Sequence, residues 1–142
     1  PDPSATPAPT APPVAHPQGR GTLIVRIAER KLHDRYVRGA AGPNAFDCSG
    51  LVRYAYSRAG VSRLLGGGHS ARAMYLWGVR HHLTSRVQPR VGDVVIWGHG
   101  THAGIYIGNG RVISALNARL GIRITRLHAL GTPFTTFIHT RI

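Results

Sequence analysis

With one cysteine in 142 residues, the chain can form no internal disulfide and no cysteine-based zinc cluster. That residue, Cys48, is left with two uses, packing or reactivity. Acids are nearly as scarce, five Asp and Glu against eighteen Lys and Arg, for a formal charge of +13. Nine histidines are present, but no His-Glu-x-x-His, and so few carboxylates leave a zinc peptidase site unsupported. No metal and no cofactor is expected. No Gly-Lys-Ser/Thr ending follows Gly66-Gly67-Gly68, so that run reads as a flexible connection rather than a phosphate loop. No apolar run is long enough to span a bilayer. Lys31 is the sole lysine, and the arginines run from Arg20 to Arg141 without a block of like charge. No nucleic-acid reader motif accompanies the charge, which implies only nonspecific affinity for polyanions.

The length suits one domain with one core, expected to be monomeric. Seven of the ten prolines fall in residues 1–19, interleaved with Ala, Thr and Ser. That stretch reads as a disordered linker, with the folded domain over 20–142. A chain that begins at Pro1 rather than methionine fits a removed targeting segment.

The spacing of Leu23, Ile24, Ile27, Ala28 and Leu32 predicts a helix over 22–33, with Thr22 as a possible N-cap. A second helix is predicted from Cys48, with Leu51, Val52 and Ala55 on one face and Gly60 as its stop. Ser70 can cap a third, with Ala73, Met74 and Trp77 facing the core. After Pro89 the pattern changes to strands at 93–97, 102–107, 111–116, 122–125 and 134–140, with a Gly108-Asn109-Gly110 turn. Helices first and a meander after predict an α+β fold, N-terminal helices packed on an antiparallel β-sheet.

Cys48 stands where its helix begins. Free N–H groups and the positive dipole end there favour a thiolate, which predicts a thiol pKa below the ordinary value of about 8.5. Amide hydrolysis needs such a nucleophile, a base that later acts as an acid, and donors for the oxyanion. Cys48 supplies the first, and its own N–H lies near the oxyanion position. His102, on a strand, is the candidate base.

Three stretches together carry a family resemblance. Tyr36-Val37 through Asp47-Cys48-Ser49-Gly50-Leu51-Val52 resembles the nucleophile segment of the NlpC/P60 cysteine peptidases. Val91-Gly92-Asp93-Val94-Val95 resembles that family's strand entry, and His102 to Gly110 its His-x-Gly-Ile-Tyr-Ile-Gly-Asn-Gly hairpin. The match covers about residues 22–126 in the right order. It implies a papain-like fold and a secreted bacterial hydrolase of peptidoglycan stem peptides, cutting between D-glutamate and diaminopimelate. It also implies that Cys48 and His102 are catalytic and that Tyr36 places a hydroxyl beside the nucleophile. Asp47 and Ser49 would contact the substrate backbone, although Asp47 can equally be a helix cap and Ser49 a first-turn residue.

Two positions depart from the family pattern. The residue that orients the histidine, twelve positions on, is Ser114 rather than His, Asn, Gln or an acid. A three-residue loop at Gly108–Gly110 would set Gly104 opposite Ser114, with His102 diagonal on the same face. A two-residue Asn109-Gly110 turn would set Asn117 opposite His102 and turn Ser114 away, which makes Asn117 the reserve orienter. Arg38 stands where the family commonly has tryptophan. A weakened third residue also allows a rival reading, a non-catalytic wall-binding module, although that role does not require a nucleophile.

Overall fold

Helix α2 (Cys48–Arg58) is the element against which the rest packs. It starts at Asp47, whose backbone is extended and whose carboxylate accepts from the Gly50 N–H at 2.7 Å. Its apolar face, Leu51, Val52, Ala55 and Tyr56, is fully buried. Burial of one such leucine contributes about 2 kcal/mol. The helix stops where Gly60 takes φ +81° and donates to the Ser57 carbonyl at 2.9 Å.

The structure is a computed structural model and describes residues 17–142. Helix α1 (Pro17–Glu29) begins five residues before the predicted Thr22 cap, and Thr22 lies inside it. Proline has no N–H to lose in a first turn, so Pro17 can open the helix. Residues 17–19 of the predicted linker lie within this helix, and its residues 1–16 lie outside the described ones. Ile24 and Ala28 bury the inner face of α1 in the core shared with α2. A 3-10 turn (Ser62–Leu65) and helix α3 (Ala71–Arg80) follow, the latter capped by Ser70 Oγ, which accepts from the Ala73 N–H at 3.0 Å.

Two short strands, β1 (Arg35–Tyr36) and β2 (Ala45–Phe46), pair in parallel ahead of α2. The main sheet holds β3 (Thr84–Ser85), β4 (Val94–Trp97), β5 (His102–Gly108), β6 (Arg111–Ala115), β7 (Ile122–Arg126) and β8 (Phe134–Ile138). Its order is β3-β8-β4-β5-β6-β7, with antiparallel neighbours throughout. Side chains alternate between its faces. Val94, Ile96, Ala103, Ile105, Ile113 and Ala115 join the helices in the main core, while Val95, Trp97, Val112 and Phe137 form a smaller cluster on the other face. The α+β expectation holds, with the helices on one side of the sheet.

Polar anchors fix α2 to the sheet at the end remote from Cys48. The buried Tyr56 hydroxyl donates to the Gly92 carbonyl at 2.5 Å and lies 2.6 Å from Thr140 Oγ1. The fully buried Asp93 accepts from the Arg90 N–H at 2.8 Å and faces His139 Nδ1 at 2.7 Å. These bonds hold the entry to β4 and so the strand that pairs with β5.

The β5–β6 hairpin combines the two predicted geometries. Gly108 pairs with Arg111 across a two-residue Asn109-Gly110 turn. A bulge at Ile107 then shifts the register, so that Tyr106 pairs with Val112 and Ile105 with Ile113. One step further, Gly104 comes beside Ser114. The turn is the short one, yet the bulge restores the pairing expected of the longer loop.

Candidate active site

Cys48 is the first residue of α2 and is half-buried. The loop before it is tied down by its own backbone: Val37 N–H donates to the Phe46 carbonyl (3.1 Å), Gly42 N–H to Ala45 (2.8 Å) and Asp47 N–H to Ala40 (2.8 Å). Asp47 closes the arrangement. Its Oδ1 accepts from the Gly50 N–H and, at 3.2 Å, from Ser49 Oγ, while its Oδ2 accepts from the Gly39 N–H at 2.8 Å. Ser49 Oγ also reaches the His69 carbonyl at 3.1 Å. Both residues therefore have structural partners. Gly50 is required here because a Cβ would collide with the Ala40 carbonyl oxygen.

The Cys48 sulfur lies among the backbone N–H groups of Ala103, Ser49 and Cys48 itself. The Ala103 group is the informative one, because it places Cys48 near β5 at the residue after His102. Burial nevertheless pushes the Cys48 thiol up, and the Asp47 charge adds to that; the three N–H groups pull the other way and do not prevail. That direction is opposite to the one expected from the helix terminus alone, because the same terminus also brings a carboxylate and a dry environment.

His102 pairs across the sheet with Trp97, their rings 5.1 Å apart at 45°. Burial lowers its pKa to about 4, so at neutral pH the ring is uncharged. Its Nε2 is sealed from solvent and has no hydrogen-bond partner. Among the described residues the ring makes no hydrogen bond, and burial disfavours the imidazolium expected there. A groove of about 450 Å³ opens beside the ring, lined by Thr101, His102, Leu116, Asn117, Leu120 and the 129–132 segment.

The two candidate orienters fare differently. Ser114 is fully buried and stands on the His102 face of the sheet. A Cβ built on Gly104 would lie 2.9 Å from Ser114 Cβ and 3.3 Å from the Trp97 ring, so only glycine fits between them. Ser114 Oγ is itself buried without a partner. Asn117 is exposed, and its Oδ1 accepts from the N–H groups of Arg119 (3.0 Å) and Leu120 (2.9 Å), capping its own turn. Neither bonds to His102 in this structure.

Tyr36, on β1, is half-buried beside Cys48 and Asp47. Burial first, then those two charges, raises its pKa, while Arg38 lowers it. The phenol is therefore a neutral donor near the sulfur. A second pocket of about 220 Å³ is lined by Gly39–Ala41, Asp47, Ser49, Gly50, Arg53 and His69, which include both chain neighbours of Cys48. Arg53 and His69 were not foreseen as site residues. The i, i+4 spacing from Ser49 to Arg53 along a helix was the available signal for the first.

A sequence profile described as the NlpC/P60 family matches residues 33–139. The chain belongs to the NlpC/P60 family. A Corynebacterium glutamicum relative named "probable endopeptidase" is 40% identical over 99 residues, which are 69% of this chain and 44% of that protein. The "probable endopeptidase p60" of Listeria monocytogenes is 34% identical over 111 residues, 76% of this chain and 21% of the relative. This NlpC/P60 chain thus spans less than half the length of these relatives. Among solved structures, the NlpC/p60 domain of the peptidoglycan hydrolase SagA superposes with TM-score 0.66 at 26% identity, covering 83% of this chain and 97% of that domain. The Mycobacterium tuberculosis peptidoglycan hydrolase RipB gives TM-score 0.65 at 24% identity over 90% of this chain and 72% of its own, a likeness of fold. The papain-like α+β architecture implied by the sequence is thereby established.

Proposed function

We propose that the chain is a cysteine endopeptidase that hydrolyses peptidoglycan stem peptides, at a bond of the D-glutamyl–diaminopimelate type. The observation that carries this reading is the nearness of the Ala103 N–H to the Cys48 sulfur. It sets a nucleophile at a helix N-terminus near the strand that bears His102, with one pocket lined by His102 and another by Asp47 and Ser49.

His102 acts as a general base rather than as half of a preformed ion pair. Its Nε2 is sealed, so Nδ1 takes the Sγ proton as sulfur attacks the carbonyl carbon. The C–N bond then breaks, the proton passes to the leaving amine, and a thioester remains. His102 next takes a proton from water, whose oxygen displaces the sulfur and releases the carboxylic acid. The Cys48 N–H and the Tyr36 hydroxyl are the donors nearest the developing oxyanion. Asp47 and Ser49 hold the loop against which the substrate backbone lies. Ser114 is the orienting position by register, with Asn117 in reserve.

The protein acts as a monomer, outside the membrane barrier or on the wall. Its +13 charge supports association with wall polyanions. Among the described residues no helix is long and apolar enough to cross a membrane. One observation favours a second reading, a domain that holds stem peptides without cutting them: His102 lacks an orienting hydrogen bond.

Mass spectrometry of stem peptides after incubation separates the two. Fragments formed by wild type, and lost in Cys48→Ala and after thiol alkylation, are the expected result. Binding without fragments establishes the second reading instead.

A further inference from the structure

A third cavity, of about 250 Å³, lies at the end of α2 remote from Cys48. Its lining includes Thr140, whose Oγ1 meets the Tyr56 hydroxyl at 2.6 Å. Tyr56 stands eight residues beyond Cys48, about 12 Å along the helix axis. Leu64 and Leu83 give the cavity aliphatic walls, and Trp77 gives it an aromatic one. Two close neighbours fix the indole. The His81 ring lies 3.7 Å from it at 30°, and a Cβ on Gly66 would come within 2.5 Å of its carbons. His81 is fixed in turn: its Nδ1 donates to the Trp77 carbonyl at 2.9 Å, which leaves Nε2 as the uncommitted nitrogen of the ring.

Two guanidinium groups, Arg63 and Arg141, share this cavity from segments far apart in the chain, and no carboxylate lines it. The acid beyond the Tyr56–Thr140 bond is Asp93, which is fully buried and faces His139 instead. Arg63 reaches the Gly60 carbonyl only at 3.5 Å, the outer limit of a hydrogen bond. Among the described residues Arg141 forms no hydrogen bond or ion pair. Both side chains are exposed, and neither is spent on the fold.

These features select a ligand. A carboxylate has two oxygens in one plane and suits one guanidinium fork. A phosphate ester directs its oxygens to more than one side and carries up to nearly two charges, which suits two. The room is less than the roughly 300 Å³ at which pockets for drug-sized ligands begin, so it admits a single sugar or glycerol unit. The carbon-bound hydrogens of such a unit match the leucine and indole walls, and a hydroxyl matches Nε2 of His81.

We propose that this cavity binds a phosphate ester of a small polyol through Arg63 and Arg141. Binding there neither uses nor blocks Cys48, so it adds to the domain a second site that stands whatever the cysteine does. The same group occurs as a free ester and as the repeating unit of anionic polymers.

Calorimetric titration of the full chain with glycerol 3-phosphate, glycerate and glycerol tests the assignment. The phosphate ester is expected to bind at least about tenfold tighter than glycerate, with no binding of glycerol. Tryptophan emission should change with it, since Trp77 lines the cavity while Trp97 is fully buried in the smaller cluster. Arg63→Gln and Arg141→Gln should each weaken the ester about tenfold at an unchanged melting temperature. Arg111→Gln, on β6 and outside the cavity, should leave affinity within about twofold. A glycerol phosphate oligomer separates the two sources. Oligomer binding that is lost in the same two variants identifies a polymer unit, and binding of the monomer alone identifies a free ester. The inference is overturned by no binding of glycerol 3-phosphate at millimolar concentration, or by equal affinity for glycerate. Equal weakening in Arg111→Gln and the cavity variants, the mark of nonspecific charge attraction, overturns it as well.

Discussion

The two halves of the site are held by different forces. Around Cys48 every polar group of the Asp47 cap has a partner, and the loop from 37 to 47 is closed by its own backbone bonds. Around His102 the polar atoms are orphaned: Nε2 and Ser114 Oγ are both buried and unbonded. The segment that carries Cys48 is positioned by hydrogen bonds, and His102 by packing between Trp97 and the space that Gly104 leaves. A hydrogen-bonded half tolerates little substitution. A packed half with spare polar valence leaves room for improvement.

The largest expected effect treats the halves alike. Cys48→Ala and His102→Ala should each lower kcat/KM on a stem peptide by about 10³-fold or more, since a nucleophile and its base act as a unit. Retention of activity in either would break the pairing.

The halves part in their response to acid. His102 titrates at about 4 in the folded protein and near 6.5 when unfolded. Between those values the unfolded state binds more protons, so stability rises with pH. The contribution is complete above about pH 6.5 and is lost as pH falls toward 4, at most about 3 kcal/mol. Denaturant titrations of wild type and His102→Gln should show that slope in wild type and its loss in the variant.

Removing the cap tests the other half. Asp47→Ala strips the Gly39 and Gly50 N–H groups of their acceptor and should cost about 1–2 kcal/mol, read as a fall in melting temperature. Asp47→Asn, which keeps an acceptor oxygen, should recover most of that loss.

The smallest effect is at Ser114. Its buried hydroxyl is unsatisfied, so Ser114→Ala should leave stability unchanged or raise it by about 1 kcal/mol, with little change in kcat. Ser114→Asn or Ser114→His, long enough to reach Nε2, should raise kcat severalfold. Asn117→Ala should act through the 117–120 turn it caps and alter kcat less than either.

Much of this was legible in the chain. The caps at Asp47 and Ser70 followed from side chains that accept from helix N–H groups, and the glycine after α2 marked its end. The start of α1 was missed because proline reads as a breaker, although a first turn needs no N–H from it. The hairpin register depended on a one-residue bulge at Ile107, which turn length does not encode. Residue types placed Cys48 and His102 together, but not their charge state, which depends on how much water the fold excludes. A helix terminus and a histidine argued for an ion pair; burial outweighs both. Arg53 lay within reach at i, i+4 from Ser49, and its place in a pocket wall with Asp47 became visible only with the fold.

The account rests on a resting pair that is neutral thiol and neutral imidazole. Alkylation of Cys48 by iodoacetamide, followed from pH 4 to 11 in wild type and His102→Ala, tests it most directly. The account predicts a single limb that rises above the ordinary thiol range of about 8.5, with no reactive plateau at lower pH. A fast plateau between pH 4 and 8 in wild type, abolished in His102→Ala, would show a preformed thiolate–imidazolium pair and contradict it.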